Sequence, residues 1–378
     1  MSTSSYLYTA LVTKFHNAGH DITVVAPAYE GTGKGLQLET NIKVLRVQTL
    51  PQFGVNFIRK GLANLILPLQ YKRALKSLDD DLKFDLILIP TPPISLYSLA
   101  DWLKKKSNGK VYLILRDIFP QNAVDLGIMK KNGFLYRFFR KQEHSLYKIS
   151  DYIGCMSKGN IEYVKRHNPE VNEDKLHLLP NWADMATIGM DAQEIKQVEE
   201  KAGIKNRFVI VFGGNVGRPQ KMENIIDLAV ACEDIEDILF LIHGYGAEYE
   251  NLKKYAKERN VSNLEFRAAL PHKEFIKILH LSKVGLISLS EHFTIPNIPS
   301  KALSYYNAKI PILASIDLNT DFGKILEEHN MGVWAEAGNT NALKNKLMLL
   351  YNDAKLRRVE SLFFIYPFSF SPIFLLSF

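Results

Sequence analysis

The stretch FVIVFGGNVGRPQKMEN, residues 208–224, narrows the folds open to this chain more than any other. Phe208, Val209, Ile210, Val211 and Phe212 form an unbroken β-branched and aromatic run, the pattern of a parallel strand buried on both faces. Gly213 and Gly214 end the run. Arg218 and Lys221 stand just beyond it. Ile225, Ile226, Leu228, Ala229 and Val230 then carry the spacing of a helix face. Strand, glycine turn, cations and helix, in that order, let a backbone approach a phosphate. Glycine removes the side chain that would block contact, and the helix start offers free N–H groups with a partial positive charge. An ordinary βα turn that contains glycines has the same appearance.

The same rhythm runs through the chain. Residues 6–15 carry helical spacing and stop at Gly19. Strands are predicted at 21–26, 41–49, 85–89, 110–115, 151–156 and 175–179, with helices between them. After a polar stretch, strands recur at 208–212, 238–242, 264–266, 283–288 and 310–314. This predicts an α/β protein of two doubly wound, Rossmann-like halves in tandem, facing across a cleft. The expected boundaries are 1–180 for the first domain, 181–206 for the connection and 207–360 for the second domain. A parallel sheet usually opens on a strand, whereas this sequence opens on a helix. The expectation is that a first strand and its glycine loop are missing from the front. Pro68 is expected to break the apolar, basic stretch 54–78 into two helical pieces. The tail 361–378, SLFFIYPFSFSPIFLLSF, has no charge and no helical period. Its two prolines argue against a membrane span, and it reads as a changed reading frame or a truncated final helix rather than a membrane anchor.

The 378 residues suit two domains, and an apolar fraction of 47% supplies sizeable cores. Cys155 and Cys232 lie far apart in apolar surroundings and read as buried thiols. No basic-then-apolar secretion signal is visible. The net charge of +7 is unevenly spread. Residues 1–180 hold 25 Lys and Arg against 16 Asp and Glu, whereas residues 181–378 hold 22 against 24. The basic half points to an anionic partner: nucleic acid, anionic lipid or a phosphorylated small molecule. Residues 54–78 and the basic helical region 130–149 fit a lipid surface, and equally a solvated basic helix face. No basic recognition helix or aromatic stacking motif supports nucleic acid.

Five motifs together resemble glycosyltransferase family 4, which has the GT-B fold, over residues 5–355. They are GHDITVV at 19–25, LPNWAD at 179–184, FGGNVGRPQKMENIIDLA at 212–229, HGYGAEYENL at 243–252 and IPNIPSKALSYYNAKIPILA at 295–314. The resemblance implies a nucleotide-diphospho-sugar held mainly by the second domain and an acceptor held mainly by the first. Arg218 and Lys221 would face the donor diphosphate. Gly214 and Asn215 would approach it through their backbone, Gly244 and Gly246 would form the second glycine turn, and Pro299, Ser300 and Lys301 would open the donor-side helix. No metal or other cofactor is expected, because protein cations and helix dipoles meet the leaving charge.

Two departures stand out. The family usually carries two glutamates eight positions apart, and here Pro296 and Ser304 occupy those places. Ser304 can still hydrogen-bond a hydroxyl, less strongly than a carboxylate would. The other departure is the absent first strand. Asp117, in RDIFP, stands where the family places a polar residue near the transferred sugar. It can act as base or as a helix N-cap. His243 and His272 read as structural. The resemblance implies a retaining transfer to a lipid-diphosphate-linked saccharide in surface polysaccharide (O-antigen or capsule) assembly, at the inner face of a bacterial membrane. The PSKALSYY variant looks like transferases of N-acetylated 6-deoxy sugars. The rival readings are a GT-B epimerase or hydrolase of the nucleotide sugar, and a truncated, inactive nucleotide-binding protein.

Overall fold

The structure is a computed structural model and describes residues 6–29, 31–52, 57–78, 82–183 and 189–359. The tail 361–378, Asp184 of the hinge motif and residues 53–56 of the basic stretch lie outside them. The chain divides into two compact units, residues 1–184 and 185–378.

The first unit runs α1 (Tyr6–Asn17), β1 (Thr23–Pro27), β2 (Gly35–Glu39), β3 (Ile42–Val47), α2 (Phe57–Lys76), β4 (Leu86–Pro90), α3 (Tyr97–Ser107), β5 (Lys110–Leu115), α4 (Gln121–Asp125), α5 (Phe134–Ile149), β6 (Tyr152–Cys155), α6 (Lys158–His167) and β7 (Leu176–Leu178). Strands β4 to β7 pair in parallel, in chain order. Strand β3 pairs in parallel with β1 and antiparallel with β2. The single parallel sheet expected here is therefore two described sheets, one of them mixed. Thr40 and Asn41 both have positive φ, the requirement of a two-residue hairpin turn. Arg46 clamps Glu39 across that hairpin through two bonds of 2.7 Å, and this holds the Glu39 carboxyl down at about 2.

Pro68 does not split α2, contrary to the sequence expectation. Proline leaves the carbonyl four residues back without its helical donor. That carbonyl belongs to Asn64, and it accepts a hydrogen bond from Ser95 Oγ instead. The lost bond is replaced from outside, and the helix continues.

The second unit runs α7 (Ala192–Ala202), β8 (Phe208–Asn215), α8 (Glu223–Ala231), β9 (Ile238–Tyr245), α9 (Tyr249–Glu258), β10 (Leu264–Ala268), α10 (His272–Leu281), β11 (Val284–Ser288), α11 (Ala302–Asn307), β12 (Ile312–Ile316), α12 (Phe322–Glu328), β13 (Gly332–Glu336) and α13 (Thr340–Asn352). Helix α7 falls within the stretch read as a connection, and its Glu194 pairs with Lys277 of α10 at 2.9 Å. The six strands form one parallel sheet in the order β10-β9-β8-β11-β12-β13. Residues 208–212 of β8 are buried on both faces, which explains their unbroken apolar run. Strand β9 lies on one side of β8 and β11 on the other. The chain order therefore reverses at β8, and open α/β sheets bind ligands beyond the strand ends at such a reversal.

Candidate active site

Strand β8 continues past its apolar run, pairing Gly213, Gly214 and Asn215 with His243, Gly244 and Tyr245. Gly214 has φ +116°, and a Cβ there would lie 3.2 Å from Lys301 Cε. The second glycine turn lies directly against the first. A Cβ on Gly244 would come within 2.6 Å of the Gly214 carbonyl oxygen, and one on Gly246 within 2.2 Å of the Val216 carbonyl oxygen. These two glycines let the turns after β8 and β9 close on each other.

The turn after β8 is also tied to β11. Ser288 Oγ donates to the Lys221 carbonyl at 3.1 Å, and the Ser290 N–H donates to the Pro219 carbonyl at 2.9 Å. Gln220 Oε1 accepts from the Gly217 N–H at 3.0 Å and from Asn215 Nδ2 at 3.3 Å. The sequence reading missed Gln220, although a polar side chain three residues after Gly217 is the spacing that closes such a turn.

Between these segments lies a cavity of about 210 Å³, lined among others by Phe212, Gln220, Phe293, Pro299, Ser300 and Lys301. The Lys301 ammonium sits 4.9 Å from the centroid of the Phe212 ring. The residue is only half-buried overall, but its charged end is deeply enclosed, and burial pushes its pKa down to about 8. The ammonium makes no hydrogen bond or ion pair among the described residues. The other predicted cations stand differently. Arg218 is 62% exposed, with Nε 3.5 Å from Glu248 Oε1. Lys221 is half-buried and holds a left-handed backbone, φ +38°. Ser304 lies a turn into α11, outside the cavity lining. A wider depression of about 570 Å³ over residues 336–341 opens beside the edge strand β13 and is lined by no cation.

Asp117 belongs to the first unit, just beyond β5. Asn122 Nδ2 lies 2.7 Å from each of its carboxylate oxygens. Burial outweighs those bonds and raises its pKa to about 6. Sequence reasoning missed Asn122, and the separation of five residues around cis-Pro120 gave no periodic signal. The buried His243 turns Nδ1 to the Ala268 carbonyl at 3.0 Å, a structural placement. No three His, Cys, Asp or Glu side chains gather as metal ligands would among the described residues.

A family model described as glycosyl transferases group 1 matches residues 193–359, and one described as Glycosyltransferase Family 4 matches residues 6–187. The chain belongs to glycosyltransferase family 4. This family-4 chain is 29% identical over 249 residues to WbjE of Pseudomonas aeruginosa, named as a glycosyltransferase, covering 66% of this chain and 61% of WbjE. It is 22% identical over 229 residues to WcaI of Escherichia coli strain K12, named as a glycosyl transferase of colanic acid biosynthesis, covering 60% of this chain and 56% of WcaI. It therefore spans less than two thirds of the length of either relative. Among solved structures, Anabaena Alr3699/HepE in complex with UDP-glucose superposes with a TM-score of 0.63 at 12% identity, covering 84% of this chain and 79% of that one. The family-4 chain has the GT-B fold, with two Rossmann-like domains.

Proposed function

We propose that this chain is a retaining glycosyltransferase. It moves a sugar from a nucleotide-diphospho-sugar to a lipid-diphosphate-linked saccharide in bacterial surface polysaccharide assembly. The observation that carries this reading is the enclosed Lys301 ammonium, set beside the Gly214 turn at the reversal of strand order. When the bond from sugar C1 to the diphosphate oxygen breaks, negative charge grows on the leaving UDP. A fixed cation in a water-poor cavity stabilises that charge without reorganising. Lys301 supplies it at close range, and Lys221 and Arg218 support it from the turn. Protein cations do this work without a metal ion.

The acceptor hydroxyl must give up its proton as the new glycosidic bond forms. Asp117, with a pKa of about 6, is ionised at neutral pH and basic enough to take it. The UDP-glucose complex of HepE supports a UDP-linked donor, and the name of WcaI supports a polysaccharide setting. The sugar we assign is an N-acetylated 6-deoxy sugar, on the PSKALSYY pattern at 299–306. The enzyme works at the cytoplasmic face of the membrane as a peripheral protein, docked by the basic helices of the first unit. No helix among the described residues is long and apolar enough to cross a membrane.

The test is transfer of labelled sugar from a panel of UDP-sugars to lipid-diphosphate saccharides. Transfer should rise with pH through about 6, and Asp117→Asn should remove that limb. UDP release that is equally fast without acceptor would replace this reading with a hydrolase or epimerase.

A further inference from the structure

Strand side chains alternate between faces, so Tyr112, Ile114 and Arg116 share one side of the first unit's parallel sheet. Tyr112 and Ile114 pack under α1 in a cluster with Tyr8, Ala10 and Trp182. Arg116 is the next residue on that face, one position beyond the end of β5. Tyr8 presents its ring edge-on to Trp182 at 6.3 Å, and the Arg116 charge acts on the Tyr8 hydroxyl. The Asp117 carboxylate is occupied by Asn122, and Arg116 is not among the groups acting on it. The acid next in sequence is therefore not the counter-ion of Arg116.

Arg116 Nη1 is buried and has no hydrogen-bond partner among the described residues. Its guanidinium forms no ion pair among them either. Burial lowers its pKa from the ordinary arginine value, yet an arginine remains charged at any working pH. The residue is half-buried overall, and the cost falls on the enclosed Nη1, because a buried donor of a charged group left without a partner is unfavourable. The unpartnered fork sits beyond the C-terminal end of a parallel sheet, where open α/β sheets take ligands. A guanidinium presents parallel N–H donors that fit two oxygens of a phosphate.

We infer that Arg116 binds a phosphate group of the acceptor. This assigns the first unit its own anion site, separate from the donor-facing cations Arg218, Lys221 and Lys301 of the second unit. The inference rests on the transferase reading for the identity of the acceptor, though not for the presence of an anion site.

Calorimetry on the full chain tests it with three probes: inorganic pyrophosphate, farnesyl diphosphate and UDP. Arg116→Gln should weaken pyrophosphate and farnesyl diphosphate at least tenfold and leave UDP unchanged. Arg116→Lys should recover part of the loss. Removing this unpartnered buried donor should leave the melting temperature unchanged or higher. Unchanged affinity for both diphosphates in Arg116→Gln overturns the proposal. So does a UDP loss equal to the diphosphate loss, which would move Arg116 to the donor. A lower melting temperature with diphosphate binding intact would make Arg116 a structural residue paired within the protein, and also overturns it. Failure of the unaltered chain to bind UDP would sink the transferase reading alone, since pyrophosphate still reads the anion site.

Discussion

Lys301 and Arg218 are both cations near the same glycine turn, yet their surroundings give them different weight. Arg218 is exposed and already faces Glu248, so water and that carboxylate screen it. Lys301 is enclosed against Phe212, where charge interactions are stronger. Lys301→Ala should therefore weaken UDP binding by about 2–3 kcal/mol, the range for a charge-assisted bond, and Arg218→Ala by less than about 1 kcal/mol. Burial lowers the Lys301 pKa to about 8, so its ammonium is present below that pH and lost above it. UDP affinity should fall as pH rises through about 8 in the unaltered chain, and the fall should vanish in Lys301→Ala. Calorimetry across that pH range decides it, and equal losses in both variants would refute the ranking. The sequence made Arg218 and Lys221 legible, since cations after a glycine turn follow one another in the chain. It marked Lys301 as a member of a motif but gave no hint of its weight. The ring beneath Lys301 comes from a strand about ninety residues earlier, and such enclosure has no local signature.

Among the elements, β8 was readable because both its faces are buried, so its composition alone declared it. Strand β2 was not readable: Leu36 and Leu38 are exposed, and the strand depends on its hairpin partner and the Arg46–Glu39 clamp. Strand β13 was missed as well, being short and only half-buried. Helix α5 is split in its burial. Its second half packs inward through Glu143, Leu146 and Tyr147, while Phe134, Leu135 and Phe138 near its start are 84%, 58% and 41% exposed. Lys130, Lys131, Arg137 and Lys141 surround that bare end. On α2, Leu62 and Leu69 are likewise exposed near Lys60 and Arg73. Apolar side chains ringed by cations suit an anionic bilayer surface, where each basic residue contributes about 1 kcal/mol. The chain should sediment with phosphatidylglycerol vesicles and be released by high salt. Phe134→Glu with Phe138→Glu should weaken that binding more than tenfold. Equal binding to neutral vesicles would exclude this surface as the cause.

At the scale of the whole molecule, the division into two α/β units was legible from the repeat of strand, turn and helix on either side of residue 184. The order β10-β9-β8-β11-β12-β13 was not, because pairing joins strands distant in sequence and composition is silent on which edge each one joins. That order places the cavity lined by Phe212, Ser300 and Lys301 within the second unit, at the ends of β8 and β11. A ligand confined to one unit stabilises that unit directly, by about 2.7 kcal/mol at a hundred times its Kd. UDP should therefore slow hydrogen exchange at residues 213–221 and 287–301 and leave residues 91–122 of the first unit unchanged. If protein cations alone hold the diphosphate, this protection should survive excess EDTA. Exchange mass spectrometry with UDP, with and without chelator, reads both points in one series. Protection appearing first at residues 91–122 would place the nucleotide in the wrong unit. Loss of protection with EDTA would show that a metal ion helps to hold the diphosphate and would refute the reading in which Lys301, enclosed beside Gly214 and over Phe212, and its neighbouring cations suffice.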